Sequence, residues 1–279
     1  MHRIVARQLL SRNVIRLDVL APRIAHIRQP GQFVIVHRAE NAERIPLTIA
    51  DADPAAGTIA LVIQAVGHST RELVALPAGG VIHDIAGPLG RETELLRQGH
   101  ALCVGGGVGT AVLHPIAQGL RRGQARVTSV IGSRSREQVI FEAELRRLGA
   151  VVVCTEDGSQ GRRGLVTVAV RELLAAGDVD MVYAVGPVPM MHAIVQLTKP
   201  LGVRTIVSLN PVMIDGTGMC GGCRISLGGE TRFVCVDGPE FDGDQVDFDE
   251  LKDRLSTYQE FEQLECLHEA CPTTRDCHE

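Results

Sequence analysis

Three cysteines and an aspartate at fixed intervals carry the strongest chemical signal in the chain: Asp215-x4-Cys220-x2-Cys223-x11-Cys235. A Cys-x2-Cys pair on a loop holding Gly216, Gly218, Gly221 and Gly222 turns two thiolates toward one point. A third thiolate from a following hairpin completes three ligands. Plant-type iron–sulfur sites space their ligands Cys-x4-Cys-x2-Cys before a distant fourth. Asp215 stands in the first of those positions, and an anionic carboxylate can ligate iron. The four residues are therefore a candidate iron–sulfur ligand set, with unliganded thiols as one other reading. A structural zinc knuckle is the alternative use of the same spacing.

Glycine loops give the second signal. Gly105, Gly106, Gly107, Val108, Gly109 and Thr110 follow an apolar run and open a helical one. In that context backbone N–H groups and the positive helix end face a pyrophosphate. The strict G-x-G-x-x-G spacing is absent, so a tight strand–helix turn is the competing reading. Gly186-Pro187 repeats the arrangement after another apolar run, and loops at the ends of parallel strands line one cleft. Nearer the N-terminus, Arg44-Ile45-Pro46-Leu47-Thr48 puts a cation and a hydroxyl just before a strand. Gly67-His68-Ser69-Thr70 precedes a helix as another anion-ready amide cluster, and Gly87-Pro88-Leu89-Gly90 reads as a turn.

These residues need two kinds of scaffold. Residues 1–97 hold short Val, Ile and Leu runs (RIVARQLL, VIRLDVLAP, QFVIVHRA, PLTIADAD, TIALVIQAV) separated by Pro, Gly, Asp and Asn, which predicts a small β-barrel or sandwich. One helix is expected over 69–76, with Ser or Thr as its N-cap. Over 98–210 the runs HALCVGG, ARVTSVIGS, AVVVCTED, MVYAVGP and RTIVSLN are almost wholly apolar, the mark of buried parallel strands. Helical patterns at 109–122, 136–148, 166–176 and 188–199 alternate with them, which predicts a doubly wound α/β sheet. Residues 211–248 form the loop-rich cysteine segment, and the Asp run at 242–249 reads as a solvated face. Residues 249–279 hold a helix over 249–265, with Leu251, Leu255, Tyr258, Phe261 and Leu264 on one stripe, and then a tail with Cys266, Cys271, Cys277 and His278.

Composition removes other classes. The chain has 279 residues, 45% hydrophobic and 22% charged, which suits globular domains rather than disorder. A net charge of −5, no Trp and 3% aromatics leave neither a basic stripe nor a stacking platform for nucleic acid. No apolar run reaches the roughly 18 residues of a membrane span. The N-terminal stretch, broken by Arg and Asn, is no secretory signal. A cytoplasmic location is expected, and there eight cysteines mean metal or redox chemistry rather than a disulfide framework.

The motifs in their order are R-x-P-L-T, G-H-S-T, G-P-L-G, G-G-G-V-G-T-A, T-E-D-G-S, V-G-P-V-P-M-M and D-G-T-G-M-C-G-G-C-R. The set resembles the ferredoxin–NADP reductase superfamily. Within it the match is to the small-subunit family of NADH-dependent ferredoxin:NADP oxidoreductase and sulfide dehydrogenase, related to the electron-transfer subunit of dihydroorotate dehydrogenase. The likeness spans roughly residues 3–250. It implies a β-barrel flavin domain, an α/β doubly wound nucleotide-binding domain and a C-terminal iron–sulfur loop, with FAD, NAD(H) or NADP(H), and a [2Fe–2S] cluster. Arg44, Pro46, Leu47 and Thr48 would border the flavin, with Thr48 tuning its reactive edge; Gly67, Ser69 and Thr70 would hold the FAD pyrophosphate. Gly105, Gly106, Gly107, Gly109, Thr110, Asp157, Gly186 and Pro187 would line the nucleotide cleft, and Asp215, Cys220, Cys223 and Cys235 would hold the cluster.

The resemblance further implies electron transfer to a larger flavin and iron–sulfur subunit, with ferredoxin reached through the complex and with flavin-based bifurcation. The dihydroorotate branch carries Cys where Asp215 stands, so Asp215 speaks against that alternative. A non-enzymatic nucleotide sensor with a zinc loop is the rival from another class. Arg134 and Arg136 follow the second parallel strand, where a 2′-phosphate would be read, and leave NAD and NADP both open. The tail cysteines depart from the family pattern and are either free thiols or ligands shared with a partner. His68, His83, His100, His114 and His192 are expected to be surface or satisfied histidines, Met190 and Met191 packing residues, and Cys103 and Cys154 buried small hydrophobes.

Overall fold

The computed structural model describes residues 1–257. The expected stripe residues Tyr258, Phe261 and Leu264 and the tail Cys266, Cys271, Cys277 and His278 lie outside them. The N-terminal part comprises β1 (His2–Ser11), β2 (Val14–Leu20), helix α1 (Pro22–Ile27), β3 (Phe33–His37), β4 (Arg44–Asp53), β5 (Thr58–Gln64), α2 (His68–Val74), β6 (Val81–Ile82) and β7 (Asp84–Leu89). The strands form one antiparallel sheet, order β6-β1-β2-β5-β4-β3-β7, curled into a nearly closed barrel. Alternation along the strands fills its interior with Ile4, Leu17, Val19, Val34, Val36, Ile49, Ile59 and Leu61, and Leu73 of α2 joins the same core.

The second sheet is built from β8 (His100–Gly106), α3 (Gly109–Arg122), β9 (Arg126–Ser133), α4 (Glu142–Arg146), β10 (Ala150–Thr155), β11 (Arg162–Arg163), α5 (Val166–Ala175), β12 (Met181–Val185), α6 (Val188–Thr198) and β13 (Arg204–Ser208). Its strands run β11-β10-β9-β8-β12-β13, all parallel. Every residue of β8 is buried, as a central strand covered on both faces requires. The order reverses between β9 and β12, on either side of β8, so the crevice of such a sheet opens at the end of β8. Among the described residues no helix is long and apolar enough to cross a membrane.

The chain then leaves the sheet for a cysteine-bearing arm: a long loop, the hairpin β14 (Arg224–Leu227) and β15 (Glu230–Phe233), and the short helix α7 (Val234–Asp237). It returns as β16 (Glu240–Asp242), antiparallel to β13, and the last described element is α8 (Phe248–Ser256).

Several expectations are corrected. The helix expected over 136–148 is a single 3-10 turn, Arg136–Gln138, followed by α4, because Ile140 and Phe141 are drawn into the core under α3 and Phe141 takes a left-handed φ of 60°. The Gly87–Gly90 turn is largely strand: Leu89 pairs with Phe33. Arg44–Thr48 lie inside β4 rather than before it. The N-cap of α2 is Gly67; Thr70 Oγ1 instead accepts from the Gly67 and Val66 N–H groups at 3.0 and 3.1 Å. The Asp run is not merely solvated. Asp242 pairs with Arg204 at 3.2 Å, and Asp247 caps α8 by accepting from the Asp249 and Glu250 amides.

Residues 90–99 link the two sheets and are fixed at several points. The Tyr183 hydroxyl, on a fully buried ring, donates to Glu94 O at 2.9 Å and accepts from Leu96 N at 2.8 Å. Arg204 holds the Glu94 carboxylate with two hydrogen bonds of 2.6 and 3.0 Å. Replacing Tyr183 by Phe strands the Leu96 N–H. We expect it to cost about 1–3 kcal/mol of stability in urea unfolding, with the far-ultraviolet spectrum unchanged.

Candidate cofactor site

Three groups of residues carry the candidate site, and the elements that bear them touch β3 or β4. The first lies on the β3–β4 ladder itself. Thr48 pairs with Phe33, Leu47 with Val34, Pro46 with Ile35, and Arg44 with His37. Arg44 is exposed and Pro46, Leu47 and Thr48 are half-buried. Neither the Arg44 guanidinium nor the Thr48 hydroxyl has a partner among the described residues, so both are available to a ligand. Beside them, Val36, Arg38, Glu43, Ser69 and Glu72 line a small recess. The Ser69 hydroxyl donates to Glu43, and Arg38 pairs with Glu72 at 2.7 Å while its Nε stays buried without a partner. Sequence reasoning found Ser69 and Thr70 but not Arg38 or Glu43, which belong to no motif; only their position after β3 marked them.

The second group is the crevice at the end of β8. Gly107 has φ +56°, and its N–H is spent on Gly132 O at 2.8 Å. The two glycine loops touch. A Cβ on Gly109 would lie 2.6 Å from Val185 O, and one on Gly186 would lie 3.1 Å from the Gly106 Cα. Met190 packs as expected, against the parallel-sheet core and over the glycine loop, its Sδ 2.5 Å from where a Cβ on Gly106 would lie. Gly105, Gly106, Gly107, Gly109, Thr110, Gly186 and Pro187 are thus brought together. Asp157 stands apart, at the end of β10. Hydrogen bonds from the Ser159 hydroxyl and amide, at 2.6 and 2.9 Å, hold its carboxyl below the usual range. Its own amide donates to Arg134 O, and Arg136 N donates to Ser159 Oγ, so this turn and the Arg134–Arg136 loop form one rim. Both arginines are exposed, and neither is ion-paired among the described residues.

The third group is the arm. Cys220 is exposed, whereas Cys223 and Cys235 are buried. Cys235 sits on α7 rather than on the hairpin strand expected for it. Amides serve the sulfurs: Cys235 N–H points to Cys223 Sγ at 3.4 Å and Gly222 N–H to Cys220 Sγ at 3.5 Å. Burial, with the neighbouring Cys223, pushes the Cys235 thiol up to about 12. Asp215 accepts from Thr217 N at 2.8 Å and from Cys220 N at 3.0 Å, and the Thr217 amide above all lowers its pKa. Among the described residues no three His, Cys, Asp or Glu side chains converge on one metal-ion position. The donor set still fits a cluster in kind: three thiols, two of them already facing amides, beside one anionic carboxylate.

The arm also reaches the first group. Gly216, at φ +74°, is pressed so closely on the barrel that a Cβ there would lie 2.7 Å from Ile35 Cγ1 and 3.0 Å from Leu89 Cδ1. Ile35 is the partner of Pro46. On the other side of β4, His114 of α3 reaches Ala50 O at 3.3 Å. The cysteine loop and the helix that leaves the glycine crevice therefore both abut the β3–β4 ladder. His100 and His114 are buried and hydrogen-bonded, and Cys103 and Cys154 are buried in separate cores.

Residues 210–247 match the model of the iron–sulfur cluster binding domain of dihydroorotate dehydrogenase B. A dihydroorotate dehydrogenase B (NAD(+)) electron transfer subunit homolog of Thermotoga maritima is 41% identical, across 95% of this chain and 94% of its own. The dihydroorotate dehydrogenase B (NAD(+)) electron transfer subunit of Shouchella clausii is 34% identical, across 85% of this chain and 94% of its own. Among solved structures, a chain of the NADH-dependent reduced ferredoxin–NADP oxidoreductase, a structure described for flavin-based electron bifurcation, has a TM-score of 0.92. It is 39% identical and covers 97% of this chain and 98% of that one. The ferredoxin reductase of carbazole 1,9a-dioxygenase, 21% identical over 72% of this chain and 64% of its own with a TM-score of 0.59, shares the fold alone.

Burial and a raised pKa at Cys235, against the exposure of Cys220, make these two thiols distinguishable. In the metal-free chain at pH 8, iodoacetamide should modify Cys220 well over tenfold faster than Cys235, read peptide by peptide in a mass spectrometer.

Proposed function

The chain belongs to the family of dihydroorotate dehydrogenase B electron transfer subunits and their homologues, and from that premise we propose that it carries electrons between NAD(H), FAD and a [2Fe–2S] cluster to a larger flavin and iron–sulfur subunit. The observation that carries this reading is the seat of Gly216 on Ile35, which joins the cysteine arm to the ladder bearing Arg44–Thr48. A hydride brings two electrons and a cluster accepts one, so a flavin between them supplies the conversion. The chain's part is to position. Arg44, Pro46, Leu47 and Thr48 border the flavin ring, with the free Thr48 hydroxyl as its hydrogen-bond donor. Gly67, Ser69 and Thr70, with the unsatisfied Arg38 Nε, hold its pyrophosphate.

Gly105, Gly106, Gly107, Gly109, Thr110, Gly186 and Pro187 bind the nucleotide at the switch point of the sheet, with Asp157 at the rim. The relatives' names support NAD(H); Arg134 and Arg136 are where the 2′-phosphate of NADP(H) would compete. Cys220, Cys223, Cys235 and Asp215 hold the cluster. Exposed Val212, Ile214, Met219 and Val236 on the same arm as Cys220 form the contact with the larger subunit. The match to the ferredoxin–NADP oxidoreductase chain, with Asp rather than Cys at 215, favours a bifurcating complex that uses ferredoxin and NADP. The relatives' names favour a second reading, an electron donor to dihydroorotate dehydrogenase.

Anaerobically purified chain should hold about one FAD and about two each of iron and acid-labile sulfide; stoichiometric zinc without sulfide would overturn the cluster assignment. Cys223→Ser should lose the cluster and keep FAD, with NADH still bleaching the flavin and delivery to the partner failing. Asp215→Cys should retain the cluster with a changed electron paramagnetic resonance signal, and an unchanged signal would remove Asp215 from the ligand set. The co-purified partner separates the two complexes: orotate-dependent NADH oxidation marks the second, ferredoxin-dependent NADP reduction the first.

A further inference from the structure

One carboxyl group lies in the wrong solvent. Both oxygens of Glu240, at the start of β16, are shut off from water and have no hydrogen-bond partner. The Thr93 hydroxyl is buried and unpartnered as well. The two groups crowd the same point on the barrel: a Cβ on Gly31 would lie 2.4 Å from Thr93 Oγ1 and 3.1 Å from Glu240 Oε1. An unpaired carboxylate in such a place costs several kcal/mol, so the group avoids charge.

Glu240 sits where three parts of the chain meet. Its strand residue pairs with Ser208 of β13, and Leu209 N donates to Pro239 O. Arg91 of the linker donates from its amide to Gly238 O at 2.6 Å, and its side chain reaches Val236 O and Asp237. Thr93 N donates to Pro30 O of the barrel. The linker is thus stitched to the arm on one side of Glu240 and to the barrel on the other.

The groups that face it offer no compensating cation. On the linker, Thr93 is neutral and Glu94 is held by Arg204. The barrel presents the Gly31 backbone. On the parallel sheet, Cys103 and Tyr183 are neutral, and the field of Glu240 adds to the burial that raises both of their pKa values. On the arm, Asp237 is paired with Arg91, and beyond Glu240 Asp242 is paired with Arg204. Burial pushes the Glu240 carboxyl up to about 7, and the polar Thr93 hydroxyl beside it, though not hydrogen-bonded to it, holds it back slightly.

We infer that the Glu240 carboxyl is a proton-operated latch on this joint: protonated, it seats the linker, the barrel and β16 against one another, and on losing its proton it releases the linker from the arm. Because the folded-state value is raised, the latch is fully closed below the usual glutamate range near 4.5. It weakens steadily as pH climbs to about 7 and loses nothing more above that. The inference stands on the joint alone and holds whether or not the arm carries a cluster.

Hydrogen exchange of the full chain, corrected for intrinsic rates, tests it. In peptides covering 88–97 and 236–246, the opening constant should rise about tenfold per pH unit from pH 5 to near 7 and then level off. Glu240→Gln, neutral and of the same shape, should remove the rise. Thr93→Val should move the levelling point to higher pH, whereas a merely structural Thr93 would shift protection equally at every pH. Wild-type protection that does not change with pH, or a Glu240→Gln profile identical to wild type, overturns the latch. If Glu240→Gln fails to fold, the Thr93→Val profile decides alone.

Discussion

Gly216 has no room for a side chain, and much of the candidate site hangs on that contact. With φ +74° and the Ile35 and Leu89 side chains against its α-carbon, this position combines two reasons for glycine. Close approach brings the loop that starts with Asp215 onto the strand paired with Arg44–Thr48. From that contact the rest follows in order. β3 and β4 hold a register that alternates barrel-filling side chains with those facing outward, α3 packs on β4 through His114, and α3 itself begins at the glycine crevice. A barrel residue, Ile35, accordingly belongs to the same core as Val207, Cys223 and Cys235.

Much of this was legible from residues alone. The parallel strands announced themselves because burial on both faces leaves no polar position, as in HALCVGG, and the helices at 109–122, 166–175 and 188–198 because each lies between two such runs. The cysteine spacing marked the arm. What stayed hidden depends on contacts between distant residues. Phe141 ends one helix and delays the next because the core needs its ring, which local propensity does not express. Cys235 rides on a four-residue helix, too short to show a period. Glu240 looks like any acid in an acidic stretch, and only the pairing of β16 with β13 reveals that it points inward.

The electrostatics of the three groups differ in kind. The rim at Asp157 is exposed and held by local turn bonds, so its geometry is set by short-range hydrogen bonding that salt scarcely screens. The arm keeps Cys223 and Cys235 buried, and burial favours the neutral form of the Cys235 thiol, which a bound cation would reverse. The barrel recess keeps cationic and anionic side chains in balance around Arg38. One scaffold thereby holds a mixed-charge recess, a hydrogen-bonded exposed turn and a soft-donor loop in three different electrostatic settings.

The return of the chain as β16 beside β13 makes the arm a closed excursion. The backbone leaves the sheet after Ser208 and re-enters it at Glu240, and these two residues are ladder partners. Neighbouring antiparallel strand ends can be bridged by a turn of two residues. The intervening segment is therefore topologically a cassette, inserted between two strands that pair at the edge of the sheet. Sheet and barrel could exist in a chain that never carried it.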